Sequence, residues 1–229
     1  MLANMSHEVR TPLTSMIGFT EILRDETNGV PAEHAAIIHR SSKRLHRTLE
    51  SMLQLSELRG GAYELSLDDV DLRALAAEVV ETMHSKATRS GVALQLVEPD
   101  YSVQAHVDPI AVQRIITNLV DNAIKFTPEN GQVSVQVGTG NEDVDHDGHY
   151  IEVRDTGIGI APEAVNDMFT AFKQESDGFS RTHEGSGLGL AIVKQLVDQM
   201  DGTIIVESEK GQGTCMHVSF PAQSSEEER

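Results

Sequence analysis

At 229 residues with 39 % apolar content, the chain is long enough for one or two domains with a real core. Its net charge of −18 falls entirely beyond residue 60, because residues 1–60 hold seven Lys/Arg and seven Asp/Glu. So acidic a body repels nucleic acid and anionic lipid, which argues against DNA binding and leaves any phosphate ligand to a few local donors. The single cysteine, Cys215, excludes an intramolecular disulfide and a cysteine metal cluster, and suits packing in a strand. No apolar run approaches the ~20 residues of a membrane span, and no signal-peptide pattern opens the chain. This segment is therefore expected to be cytoplasmic, without nucleic-acid or membrane contacts.

From residue 2 to 23 apolar residues recur at helical spacing (Leu2, Met5, Val9, Leu13, Met16, Leu23), and Thr27-Asn28-Gly29 offers a stop. Pro12 inside that pattern removes an amide donor and should kink or loosen the helix. Pro31 suits a first helical position; Ile38, Leu45, Leu49 and Met52 then form a heptad seam, closed by Gly60-Gly61. Two helices joined by a short turn predict an antiparallel hairpin at 1–60. One hairpin leaves its seam wet, so a second copy is expected to cover it as a homodimeric four-helix bundle.

Beyond Gly61 the texture changes to short β-rich runs at 63–67, 92–97, 133–137, 150–154, 203–207 and 214–220, with helices predicted at 73–89, 109–125 and 187–200. Asp108 is the expected N-cap of the second of these, with Pro109 at its first position. The acidic, glycine-bounded stretch 141–148 reads as a hairpin loop, and 223–229 as a disordered tail. An α/β layer at 61–222 follows.

Three blocks carry chemistry. In NLVDNAIKFTP, 118–128, Asn118 and Asn122 lie four apart and project from one helical face. Both therefore point at one ligand, and an amide oxygen suits Mg²⁺, which takes one or two protein oxygens and completes its shell with phosphates and water. Lys125, at i+3 from Asn122, would meet a phosphate. Alone, the pair would as readily cap or face solvent. In DTGIGI, 155–160, Asp155 ends a strand and enters a turn where Gly157 and Gly159 allow close backbone approach; its carboxylate can accept the adenine amino hydrogen, although the motif alone fits a plain tight turn equally well. In GSGLGL, 185–190, Gly185, Gly187 and Gly189 precede a helix whose first amides, Leu188 included, favour phosphate. Its GxGxG spacing is neither the GxGxxG of a dinucleotide fold nor a GxxxxGK[ST] loop. The polar stretch 173–184 has the composition of a lid, from which Lys173 and Arg181 would reach phosphates.

Upstream, SHEVRTP at 6–12 sets His7 beside Glu8, with Thr11 on the same helical face. Neutral imidazole is nucleophilic, and a carboxylate holding its other N–H disperses the charge formed on attack. His146 and His149 in DHDGH read as a solvated loop, and HEVRT is not the HExxH of a zinc protease.

In order and spacing these blocks resemble the histidine kinases of two-component signalling over nearly the whole chain: SHEVRTP is similar to the H box, NLVDNAIKFTP to the N box, DTGIGI and GSGLGL to the two G boxes, and FTAFKQ at 169–174 to the F box. The resemblance implies a dimerising helical hairpin followed by an α/β sandwich of the Bergerat kind shared with gyrase and MutL ATPases. It implies ATP and Mg²⁺ as cofactors, His7 as phospho-acceptor, Glu8 as its base, Asn122 as the metal ligand on Mg²⁺, and a response-regulator receiver domain as partner. Thr11 then serves the water that hydrolyses the partner's phospho-aspartate. A gyrase-type hydrolase would usually carry Glu at position 118, so Asn118 speaks against it; a nucleotide-responsive module without catalysis stays as the alternative. With six residues before His7, the chain reads either as the core of a larger sensor kinase or as a chain that takes its input from a partner.

Overall fold

The computed structural model describes residues 12, 14–16, 32–61, 63–97, 99–140, 148–173 and 186–222. His7, Glu8, Thr11, Arg181 and Gly185, most of the first helix, the acidic loop 141–147 and the tail 223–229 lie outside them. Pro12 and residues 14–16 are helical, as the first-helix pattern requires. The Ser42 hydroxyl donates to the Met16 sulfur at 3.3 Å, joining that helix to the next, α1 (Ala32–Arg59).

After α1 come β1 (Asp68–Asp71), α2 (Leu72–Arg89), β2 (Ala93–Val97), β3 (Gln104–Val107), α3 (Pro109–Phe126), β4 (Gln132–Thr139) and β5 (His149–Asp155). The short α4 (Pro162–Val165), α5 (Gly189–Gln199), β6 (Thr203–Glu209) and β7 (Gly213–Phe220) complete the chain. Five strands form one sheet in the order β2-β4-β5-β7-β6, parallel only between β2 and β4. Alternation along β4, β5 and β7 turns Val133, Val135, Ile151, Val153 and Val218 toward α2, α3 and α5, and leaves Gln136, Tyr150, Glu152 and His217 on the other face. Cys215 is buried in β7, as its composition suggested.

α3 starts where Asp108 and Pro109 predict. Asp108 Oδ1 accepts from the Ala111 N–H at 2.9 Å, supplying one of the four orphan amides of the first turn. The expected strand at 63–67 is not one. Instead of joining a ladder, the Ser66 N–H donates to Asp108 Oδ2 at 3.0 Å, so this connection is tied to the α3 cap. The strand forms just beyond it, at β1, paired antiparallel with β3, an element that its short, half-polar sequence did not announce. Thr139 faces His149 across antiparallel β4 and β5, and the Gly140 N–H donates to the Gly148 carbonyl at 2.7 Å, the closure a hairpin needs.

The hairpin helix and the sheet layer are not separate bodies. Leu55 and Leu58 of α1 join the same apolar cluster as α3 and α5, and Gln199 Nε2 of α5 donates to the Leu58 carbonyl at 2.9 Å. Leu49 and Leu53, on another side of α1, are 42 % and 65 % exposed. No helix among the described residues is long and apolar enough to cross a membrane.

Candidate functional site

α3 is the spine of the site, because the other two blocks close on it. Asn118 and Asn122, both half-buried, share one side of the helix. Asn118 Nδ2 donates to the Arg114 carbonyl at 3.0 Å, which aims its oxygen away; a Cβ added at Gly189, the first residue of α5, would stand 3.1 Å from that oxygen. The amide face thus looks at the N-terminus of α5, where free N–H groups and the helix dipole favour anions. An oxygen donor set beside an anion-favouring helix end fits a magnesium–phosphate ligand, which the Asn118 and Asn122 amide oxygens would face.

Asp155 stands at the end of β5, itself between β4 and β7. Its Oδ1 accepts from the Gly157 N–H at 2.8 Å and the Thr214 N–H at 3.2 Å. Both bonds fall on one oxygen, and among the described residues no hydrogen bond to Oδ2 is found. Burial raises the carboxyl above its ordinary range, against the opposing pull of those two amides. The turn that follows is braced from three directions. Ile158 N–H donates to the Phe126 carbonyl at 3.2 Å, Ile160 N–H to Ser208 Oγ at 2.8 Å, and Gly211 N–H to the Ile158 carbonyl at 2.8 Å. Gly159 has φ +64°, and any Cβ there would overlap the Glu209 carbonyl.

The third block is fixed by Phe172, whose N–H donates to the Gly187 carbonyl at 2.9 Å. Gly187 has φ +68° and would press a Cβ within 3.2 Å of the Phe172 backbone, so both geometry and space ask for glycine. Leu188 buries its side chain fully in the core and brings only its backbone to the helix start. Lys125 lies over the Phe126 ring, 4.5 Å from its centre, and is held below the ordinary lysine range by burial first and then by the charges of Lys86 and Arg44. Lys173, at the edge of the lid stretch, is half-exposed and paired with Asp167.

The structure therefore brings Asn118, Asn122, Lys125, Asp155, Gly157, Gly159, Gly187, Leu188 and Gly189 together around α3. Sequence reasoning missed Thr214 and Ser208, which brace the Asp155 turn. Their bonds span 59 and 48 residues, and nothing local marks either as more than a strand residue.

Residues 1–61 match the His Kinase A (phospho-acceptor) domain, and residues 107–224 match the histidine kinase-, DNA gyrase B- and HSP90-like ATPase family. The chain is 38 % identical over 218 residues to the signal transduction histidine-protein kinase BarA of Escherichia coli K12, covering 93 % of this chain but 23 % of BarA. Among solved structures, full-length ShkA in complex with AMPPNP superposes with a TM-score of 0.71 at 31 % identity, over 96 % of this chain and 45 % of ShkA. Histidine kinase ThkA in complex with response regulator protein TrrA gives a TM-score of 0.75 at 23 % identity, over all of this chain and 62 % of ThkA's.

Proposed function

The chain belongs to the histidine kinases of two-component signalling, and we propose that it binds ATP and phosphorylates its own His7. The observation that carries this reading is the convergence on α3: the Gly189 helix start lies against the Asn118 oxygen, and the Asp155 turn is tied to the end of the same helix through the Phe126 carbonyl. Asp155 Oδ2 takes the adenine amino group. The backbone from Gly185 to Gly189 receives the phosphates, with Lys125 beside them. Magnesium held at Asn122 would neutralise phosphate charge. The His7 imidazole forms an N–P bond to the terminal phosphorus as the P–O bond to ADP breaks, and Glu8 holds the other ring N–H.

The phosphoryl group then passes to an aspartate of a response-regulator receiver domain, and Thr11 serves the water that removes it again. ThkA, solved with response regulator TrrA, supports that class of partner. The exposed Leu49 and Leu53 support a homodimer closed through the hairpin, in a cytoplasmic segment of a sensor. The test is autophosphorylation with radiolabelled ATP. An acid-labile, base-stable label that vanishes in His7→Gln, while nucleotide binding persists, is the expected result. Label retained in His7→Gln would overturn the acceptor assignment. Nucleotide binding with no label in the parent chain would favour a nucleotide-responsive module instead.

A further inference from the structure

The end of α1 leaves its last carbonyls, those of residues 56–59, without partners inside the helix. The Gly60 N–H donates to the Ser56 carbonyl at 2.9 Å. The Leu58 carbonyl is met from outside, by Gln199 Nε2 at 2.9 Å, in a bond that spans 141 residues and joins the hairpin helix to α5. A carbonyl only accepts, so the amide has one usable orientation there. That orientation leaves Gln199 Oε1 shut from solvent with no hydrogen-bond partner among the described residues. An orphaned buried acceptor costs stability that an apolar side chain would not, so what this amide supplies is its one bond to α1. The bond stands where α1 rests on the layer. α1 meets the layer chiefly through α5, and Leu55 and Leu58 share one apolar cluster with Ile192, Leu196 and Val197 of that helix. Just beyond, Gly61 has φ +68° and no described atom within 4 Å of a Cβ built there, so contact at that position does not restrain the helix. The chain is next tied down at Tyr63 and Ser66, both bonded to Asp108 Oδ2.

We propose that Gln199 is a positioning residue for phosphoryl transfer, which sets the hairpin helix on the ATP-binding layer by capping the Leu58 carbonyl. The inference rests on the reading of His7 as acceptor and of the α5 start as the phosphate end. α5 runs unbroken from Gly189 to Gln199, so at 1.5 Å per residue the cap lies ~15 Å along the axis from the phosphate end. Its residues Ala191, Ile192, Val193, Leu196 and Val197 are buried and lock it into the layer. One rigid element therefore carries both the nucleotide contact and the hairpin contact. Apolar packing through Leu55 and Leu58 is non-directional and lets one helix slide or roll on the other. A hydrogen bond to a single carbonyl is directional and fixes both movements. Transfer to an imidazole depends on that setting, since a misplacement of about 1 Å can lower a rate about 100-fold.

The experiment follows autophosphorylation by Gln199→Glu in the full chain from about pH 8 to about pH 5.5, each rate taken relative to the parent at the same pH. As a carboxylate, Glu turns a negative charge and no donor on the Leu58 carbonyl. As the neutral acid it regains an O–H donor, and burial raises the pKa at which it does so. At the alkaline end kcat should fall about tenfold or more, while KM and calorimetric ATP affinity stay within about twofold; kcat should then recover as pH falls. Gln199→Met, with no donor at any pH, should show a loss without the recovery. Asp198→Asn, at the exposed neighbour paired with Lys194, should change nothing. Docking itself is read by pulsed spin-label distances between Glu57→Cys and Thr203→Cys, both exposed positions, in labelled chain diluted with unlabelled chain. One narrow distribution is expected in the parent, broadened in both Gln199 variants at the alkaline end. A parent-like or raised kcat, a loss confined to KM, no recovery in Gln199→Glu, or a distribution that neither variant moves overturns the proposal. Should Gln199→Glu lose ATP binding as well, Gln199→Met decides on the same two readouts. When the parent forms phosphohistidine, these failures sink this inference alone; a parent that binds ATP yet forms none removes the kinase reading and this inference together.

Discussion

Replacing Asp155 by Asn separates what this residue does for folding from what it does for the nucleotide. Asn keeps a carbonyl oxygen at Oδ1, so the bonds from Gly157 N–H at 2.8 Å and Thr214 N–H at 3.2 Å persist. It also removes a carboxylate whose ionised form is disfavoured by burial. At the second position the acceptor Oδ2 becomes an NH₂ donor, which meets the donor amino group of adenine. A hydrogen bond to a charged acceptor is worth roughly 1.5–3 kcal/mol, so ATP affinity should fall about 10- to 150-fold. The folded protein should be no less stable. Because the folded-state pKa of Asp155 is raised, its ionisation costs stability as pH climbs from the unfolded value through the raised one, and the amide variant should lose that slope. Calorimetric titration with ATP, alongside thermal melts from pH 4 to 8, checks both halves. Unchanged affinity would remove Asp155 from the adenine contact. A sharp loss of stability at neutral pH would show that the carboxylate charge holds the Gly157–Thr214 turn together.

Leu53→Asp, at a position 65 % exposed on α1, should convert a concentration-dependent dimer into a monomer without loss of helicity, as read by sedimentation and circular dichroism. Gln54 is buried, with neither amide atom hydrogen-bonded among the described residues, so Gln54→Met should add about 1 kcal/mol and raise the melting temperature by roughly 2–4 °C. Burial pushes the Cys215 thiol up to about 12, so it should resist iodoacetamide at pH 8 and react, by mass spectrometry, only once the protein is unfolded.

Much of this fold is legible because its cues are local. Asp108-Pro109 fixes the start of α3 through one side chain and one ring, and the apolar period then carries the helix to Phe126. The run 63–67 misleads because alternation looks the same whether or not a partner strand exists. Its Ser66 amide went to Asp108, and the ladder formed at Asp68–Asp71, where three of four residues are aspartate. Pairing with Gln104–Val107 made both strands, and a partner that distant in the chain, as Asp68 is from Val107, leaves no mark in either segment. The site divides in the same way. Asn122, Asp155 and Gly187 are readable from motif spacing. The two bonds to a single oxygen of Asp155, the inward turn of Leu188 and the burial of Lys125 depend on tertiary packing, which spacing does not encode.

That packing gives Lys125 a measurable signature. Burial, then Lys86 and Arg44, lower its pKa in the folded protein, so the ammonium form costs stability at neutral pH, and stability recovers as pH rises through the lowered value. A bound phosphate does the opposite, favouring the ammonium and drawing the pKa back up. Between the two values, binding must take up a proton. Triphosphate affinity should accordingly decline with rising pH from below the ordinary lysine range near 10.4 onward, while Lys125→Gln should bind more weakly and with a flatter profile. Titrations in buffers of differing ionisation enthalpy count the protons directly. Uptake in the parent chain that disappears in Lys125→Gln is the expected result. No uptake at any alkaline pH, or uptake that survives the substitution, would mean that the phosphate lies elsewhere along α3 and that Lys125 only packs over Phe126.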